Sequence, residues 1–545
     1  MPAPPYGNGY SDRWARMNEK ASGDLRAATL ASSAWPARLI AAAAVLLAFP
    51  LGFLLAVAGL QAMVALMMIA LFILTLMLPW RWLLLTMLLV VFVVVGPLQY
   101  IGGWAKAFWI PYLLGLLLLV RTVAQWTATE ATTPRTELTH SATVNRRTPW
   151  AQWTPWTQLA KWSLWGFALV ALLSSAMSRI EPLQWLVGAK EYLFLSSIAL
   201  AFHVGGLKLS DLKLLPQGLT AWLVLQLPFV AWQRFWIAPR RAGESPWDAV
   251  VGLFAGSAFT GGDSGAMAMV SLVAATAVIL AWQDLRCPPW MALLALVSAG
   301  LACAGAEVKF AVLLLPLLGM WVAIRPTGLH DHTGKASLLG RWPRWLGVIS
   351  VGVLLSALLA WTYQLEYTSA RSLEGQSMKA YADTVMARNL DDNTLADAYG
   401  QMTRMGALRF WLQRQEIQDV PSWLVGHGMG SSRRGNWVIG EMARLYPFDI
   451  GRSSLAILLW EVGVLGCAAL LTSMSALILA AWQMQSAPAL QPWRWLLHSA
   501  AAMLGVALMS LPYGPDLLVA PQLATATLLM MGVVFAADRL QAQSS

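Results

Sequence analysis

The chain has 545 residues, of which 58% are hydrophobic and only 12% charged, with a mean hydropathy of +0.58. That is too little charge to coat a water-soluble surface of this size, so a soluble enzyme is excluded and a single all-α membrane domain is expected. The net charge of +10 lies on basic residues scattered among apolar blocks, with no RNA-binding signature, which points to basic cytoplasmic loops and excludes nucleic acid as a partner.

In chain order, residues 1–36 form a polar cytoplasmic tail carrying Arg13, Arg16, Lys20 and Arg26. The tail is too long and too polar to be the leading region of a cleaved signal, so the first apolar block reads as a retained span. Apolar blocks near the length that crosses a hydrocarbon core, roughly 20 residues, predict spans over 38–55, 57–79, 82–98, 105–121, 158–178, 190–206, 216–237, 263–282, 290–305, 308–324, 345–363, 453–481, 494–511 and 516–536. The least separated pairs meet around Pro50–Gly52 and around Glu307. Residues 122–157, rich in Thr, Gln and Arg, read as a disordered cytoplasmic linker between two spans of the 37–363 membrane domain.

With the N-terminus inside, Arg121, Arg135, Arg146, Arg147, Lys161, Lys208, Lys213, Arg325, Lys335, Arg341 and Arg344 all fall on the cytoplasmic side. An even number of spans then returns the 538–545 tail to the cytoplasm. Trp80, Trp82, Trp104, Trp109, Trp342, Trp345, Trp493 and Trp495 cluster at span ends, as interfacial anchors do. Cys287, Cys303 and Cys467 have neither metal-ligand nor disulfide spacing and read as structural filler. No internal repeat is visible, which weighs against a transporter built from duplicated halves.

Residues 364–452 face outward in this topology as one large loop. Its second half carries Arg404, Arg409, Arg414, Arg433, Arg434, Arg444 and Arg452 and no Lys. Arginine offers a planar fork of donors that matches phosphate oxygens, so the loop suggests a phosphate or diphosphate ligand; the alternative is a solvated loop touching anionic lipid. Asp397 to Asp419 is helix-compatible, with an apolar stripe of Leu408, Trp411, Leu412, Gln415 and Ile417, and Pro421 ends it. By helical phase Arg404 and Arg414 lie off the face of Arg409. The turn Gly426-His427-Gly428-Met429-Gly430 has backbone amides able to approach an anion. Arg452 stands where the loop re-enters the membrane, and an arginine at that depth needs a partner or a wet cavity.

Arg409-Phe410-Trp411, Pro421, the Gly426–Gly430 turn, and Arg452-Ser453-Ser454-Leu455 running into Leu459-Trp460-Glu461-Val462-Gly463-Val464-Leu465-Gly466 resemble the O-antigen ligase and polysaccharide polymerase superfamily of bacterial inner-membrane enzymes. A fainter likeness runs from Gly252-Leu253-Phe254 through Gly261-Gly262-Asp263-Ser264-Gly265-Ala266, and another covers Glu307-Val308-Lys309-Phe310. Ligases of that superfamily place a His, usually followed by Asn, where this chain has Arg452-Ser453. The departure directs the expectation toward the polymerase branch.

The resemblance implies a GT-C-like architecture of about 14 transmembrane helices with one large periplasmic helical loop. It also implies glycosyl transfer between undecaprenyl-diphosphate-linked glycans, one as donor and one as acceptor, with membrane lipid and a chain-length regulator as further partners. Diphosphate leaves with growing negative charge, which preorganised cations stabilise. Arg409 and Arg452 are expected in that role. Arg240, Arg241, Arg434 and Glu441 are expected to bind substrate, and His427 and Asp449 stand with Glu441 and Glu416 as candidates for the base. No cofactor or metal is expected, since the loop lacks a tight ligand cluster. Glu461 is expected to be structural, held by an Arg or by backbone. Two alternatives stay open: an O-antigen ligase or protein O-oligosaccharyltransferase differing in acceptor, and a lipid-linked sugar transporter or flippase.

Overall fold

The computed structural model describes residues 77–132, 154–178, 181–241, 246–259, 261–324, 350, 352–364, 379, 383, 402–414, 420–435 and 438–544. The chain divides into two compact units, Met1–Leu78 and Pro79–Ser545. The second is described below; the expected spans 38–55 and 57–79 lie outside the described residues.

Nine helices among the described residues are long and apolar enough to cross a membrane. They are α1 (Trp80–Tyr100), α2 (Ala105–Thr127), α3 (Pro155–Met177), α4 (Pro182–His203), α5 (Leu209–Arg240), α6 (Ser264–Gln283), α7 (Pro289–Ala306), α13 (Ser454–Met484) and α16 (Pro521–Ser544). Shorter helices complete the bundle: α8 (Lys309–Ile324), α9 (residues 352–364) and α14 (Arg494–Ser510). Three more, α10 (Arg404–Gln413), α11 (Val420–Val425) and α12 (Glu441–Leu445), lie in the stretch between α9 and α13, and α15 (Asp516–Val519) precedes α16. The only strands among the described residues are β1 (Gly256–Ser257) and β2 (Gly261–Gly262), paired antiparallel.

The bundle is inverted relative to a soluble protein. α6 and α16 are enclosed on nearly all sides. The outer helices instead show large apolar side chains: Leu85 and Leu89 on α1, Leu169 and Leu172 on α3, Leu293 and Leu301 on α7. Such a continuous apolar exterior has lipid as its natural solvent, and the protein is membrane-embedded. α13 packs along α3, α16 along α4, and α14 between α16 and α6.

The helices join at two ends. At one, Arg539 on α16 donates to the carbonyls of His203 and Leu207, and Asp538 accepts from the Thr154 amide and the Thr157 hydroxyl. At the other, which we call the loop end, Ser454 and Leu455 donate from their amides to the carbonyls of Gly514 and Leu511, and the Tyr100 hydroxyl donates to Ala249 O.

Several expectations need correction. Residues 122–132 are not linker: the helix continues past the apolar Ala105–Thr127 part of α2 to Thr132, with the Thr122 hydroxyl satisfied on Leu118 O. Residues 133–153 lie outside the described residues. The helix of α16 likewise extends to Ser544, so most of the expected 538–545 tail is packed helix. By contrast, the pair around Glu307 is two helices, as expected, since Glu307 takes a left-handed conformation (φ 51°) that ends α7. Pro421 does not end a helix but sits in the first turn of α11, where its missing N–H costs nothing. Trp495, expected at the interface, is buried in the core, and its amide donates to Asp284.

Candidate functional site

Among the described residues three spans carry a π-helical turn: Val90–Val94 in α1, Lys190–Phe194 in α4 and Gln233–Ile237 in α5. Such a turn widens the helix and turns side chains that would otherwise lie along its surface. In α5 it delivers Gln233, whose Oε1 accepts from the amides of Val251 and Gly252 at 2.9 and 2.7 Å and whose Nε2 donates to Gly252 O at 3.0 Å. This fixes the turn leading into β1, β2 and Asp263.

In α4 the π turn delivers Lys190 and Glu191 into the bundle. Lys190 Nζ sits over the rings of Phe108 (4.4 Å), Tyr112 (4.5 Å) and Trp109 (5.3 Å) and donates to Glu191 Oε1 at 2.8 Å. Glu191 also pairs with Arg433 from the loop. Arg433 Nε reaches Glu461 Oε1 on α13 at 3.2 Å. The Glu461 carboxylate further accepts from the Ser432 hydroxyl (2.6 Å), the Tyr192 hydroxyl (2.9 Å) and the Gly430 amide (2.9 Å). Burial works against the charge on Arg433, yet Glu191 and Glu461 overcome it and hold the guanidinium more firmly protonated than usual. Two cations and two anions thus close on themselves in a knot whose side chains are nearly excluded from solvent.

The glycine-rich turn belongs to this knot. Gly426, Gly428 and Gly430 all have positive φ, which L side chains rarely adopt. The amides of His427 and Gly428 donate to the carbonyls of Trp460 and Glu461, that of Met429 to Ser175 Oγ, and that of Gly430 to the Glu461 carboxylate. The turn does approach an anion, as its sequence suggests; the anion is the protein's own Glu461. Those carbonyls are available because α13 is broken at Gly463 (φ 65°, ψ −169°), a conformation open essentially only to glycine. A Cβ there would come within 2.4 Å of Leu424 O. Glu461, Gly463 and Gly466 therefore act as ionic anchor, helix break and close-packing position.

A second polar cluster lies at the rim of the loop end. Ser453 caps α13, accepting from the Ala456 amide, and the Ser454 hydroxyl donates to Gly514 O at 2.9 Å. These bonds bring Arg452 to the Leu511–Asp516 connection. Arg404, at the start of α10, lies over the Tyr513 ring at 4.1 Å, and Phe310 stacks on the same ring at 4.3 Å. Arg404 and Arg452 both act electrostatically on Asp516, which in turn acts on Asp263. Burial and the Asp516 charge push the Asp263 carboxyl up to about 8. Burial pushes Asp516 up to about 6, against the opposing pull of the two arginines. Arg404, Arg452, Tyr513, Asp516 and Asp263 are half-buried, neither sealed nor free in solvent.

Tyr112 lies within electrostatic reach of both clusters, through Glu191 and Arg433 on one side and Asp263 on the other. Beside them runs an apolar cavity of about 180 Å³ between α3, α4, α13 and α16. Glu191, Leu517 and Leu518 line its loop-end portion, and Lys161 and His203 its other end.

The expected site residues are dispersed. Arg452 is at the rim. Arg409 is exposed on α10, roughly 140° around the helix from Arg404. The side that α10 buries is Ala407, Phe410 and Trp411, so of the expected stripe Trp411 is buried while Leu412 is exposed, and Phe410 meets Tyr446, Phe448 and Trp460. The His427 ring lies 5.8 Å from that of Trp460. Asp449 accepts from the Gly451 amide and shapes the turn before Arg452. Arg434 donates to the carbonyls of Ala443, Tyr446 and Pro447, a structural staple rather than a free phosphate fork. Glu441 is exposed at the start of α12, its amide donating to Gln184. Arg240 lies over Trp236 at 5.0 Å, and Arg241 acts electrostatically on Tyr100. Glu416 lies outside the described residues. Glu461 finds the Arg partner expected of it, in Arg433. Sequence reading missed Asp263 and Asp516 as site residues, although Asp263 stands in a turn it had singled out.

Among the described residues no three His, Cys, Asp or Glu side chains gather as metal ligands. No protein-family model matches the chain, and no curated protein matches it.

Proposed function

We propose that this chain is a bacterial inner-membrane glycosyltransferase of the polymerase type, joining undecaprenyl-diphosphate-linked oligosaccharide repeats at the outer face of the bilayer. The observation that carries this reading is the convergence of Arg404 and Arg452, from separate elements, on the half-buried Asp516. Two guanidinium groups for two carboxylates, one of them largely protonated near neutral pH, leave the rim with surplus positive charge toward solvent. A departing diphosphate needs that charge, already in place before the bond breaks. Leu517 and Leu518, next in the chain after Asp516, line an apolar cavity suited to the lipid tail.

The topology in this reading is the fourteen-span one, with termini and the Arg121, Lys161, Lys208, Lys213 and Arg539 end in the cytoplasm and the loop end in the periplasm. A ligase or protein glycosyltransferase would use the same donor chemistry and differ in acceptor. The transporter reading is weaker, because Lys190, Glu191 and Glu461, deep in the spans, are neutralised by one another and by Arg433 rather than left to exchange partners.

The test is reconstitution in vesicles with a lipid-diphosphate-linked repeat as the only sugar. The expected product is a ladder of lengthened glycans, and Arg404→Ala combined with Arg452→Ala leaves single repeats. Normal chain length in the double variant overturns the reading.

A further inference from the structure

An aspartate at the N-cap of a helix ordinarily turns its carboxylate back onto the amides of the first turn. Asp263 occupies that position on α6, yet its side chain accepts no such bond. The carboxylate lying against that turn belongs instead to Asp516, whose Oδ2 would be 2.7 Å from a Cβ placed on Gly265. The N-terminal end of α6 carries partial positive charge and favours an anion there. Asp516 is therefore fixed as the anion of the rim, between the helix end and the two arginines. Asp263 is left partly exposed beside it, displaced from the role its position would give it.

We infer that Asp263 is the general base of the transfer, taking the proton of the acceptor hydroxyl while Asp516 positions Arg404 and Arg452; this rests on the reading proposed above. In the step, the hydroxyl oxygen forms a bond to the anomeric carbon of the donor. The bond from that carbon to phosphate breaks, its electron pair leaving on the diphosphate oxygen. The hydroxyl proton passes to the Asp263 carboxylate and from there to water.

The charged and titratable groups facing Asp263 favour this division of labour. Asp516 from α15 is the charge that acts on it, Tyr112 from α2 is within its electrostatic reach, and Arg404 and Arg452 stand beyond Asp516. A carboxylate beside another carboxylate holds a proton strongly once it has one, and Asp516, pulled down by two arginines, is the weaker base. The assignment also removes the need for a histidine at the Arg452-Ser453 position.

The experiment compares wild type, Asp263→Asn and Asp263→Glu in the same vesicles, measuring transfer rate from pH 5.5 to 9 and binding of undecaprenyl diphosphate. Wild type is expected to gain rate with rising pH up to about 8. Asp263→Asn is expected to lose roughly 10²–10⁴-fold in rate and its pH limb, while keeping diphosphate binding, and Asp263→Glu to recover part of both. A rate for Asp263→Asn within threefold of wild type at every pH, or loss of rate only in proportion to loss of binding, overturns the inference and leaves the transferase reading standing. Absence of transfer by wild type overturns both.

Discussion

The two charged clusters are built from the same residue types and differ in what closes them. In the knot of Lys190, Glu191, Arg433 and Glu461, every charge faces an opposite charge or an aromatic ring, and the net charge is zero. At the rim, Arg404, Arg452, Asp516 and Asp263 are only half-buried, and their charges do not cancel. A buried ionic group that is fully satisfied specifies structure, because removing one member strands the others without water. An unbalanced and accessible one is able to act on something outside the protein. Sequence alone gives both clusters the same appearance, arginines and carboxylates near helix ends. The difference appears only when distant segments meet.

The sharpest way to break this comparison is at Glu461. Glu461→Gln should destabilise the fold by about 3–5 kcal/mol, read as a large drop in melting temperature in detergent and poor insertion. A Glu461→Gln protein that melts as wild type would remove the knot's structural role. Next, Arg404→Ala and Arg452→Ala should each lower the transfer rate roughly 10²–10³-fold with little change in melting temperature. Arg409→Ala, on another face of α10, should have a smaller effect, and the same assay ranks the three. Equal losses for Arg409 and Arg404 would widen the rim to include the outer face of α10.

Gly463→Ala should cost about 1–3 kcal/mol through the forbidden φ and the collision with Leu424 O, again visible as thermal destabilisation. A further prediction concerns pH. Asp263 has its carboxyl raised from 3.8 to about 8 and Asp516 from 3.8 to about 6, so the folded state binds more protons than the unfolded one across that interval. Stability should therefore decline as pH rises from 4 toward 8. Asp263→Asn should flatten the upper part of that slope, and an unchanged slope would place the titration elsewhere.

Hydropathy located the nine membrane-length helices among the described residues because a helix in lipid must be apolar over a fixed length. It misjudged α2 beyond Arg121 and α16 beyond Ala537, where polar residues continue a helix that composition treats as ended. The glycine turn and the Glu461–Gly466 segment were legible as special and not as partners, since nothing in either stretch says that one supplies the anion and the other the amides. Arg404 was set aside for lying off the face of Arg409, and that phase is what aims it at Tyr513. In sequence Asp263 and Asp516 each read as the first residue of a span, with nothing to link them. Their proximity depends on Ser454 binding Gly514, a contact between residues sixty positions apart.

The interruption at Gly463 has a mechanical consequence. An unbroken α13 would transmit any tilt or twist of its inner half straight to Arg452. Instead the upper segment, Ser454 to Val462, is dovetailed into the 426–430 strap and seated on the Gly514 connection, so its bearing is set locally. The scaffold below can flex with bilayer thickness while the guanidinium at its top holds its aim.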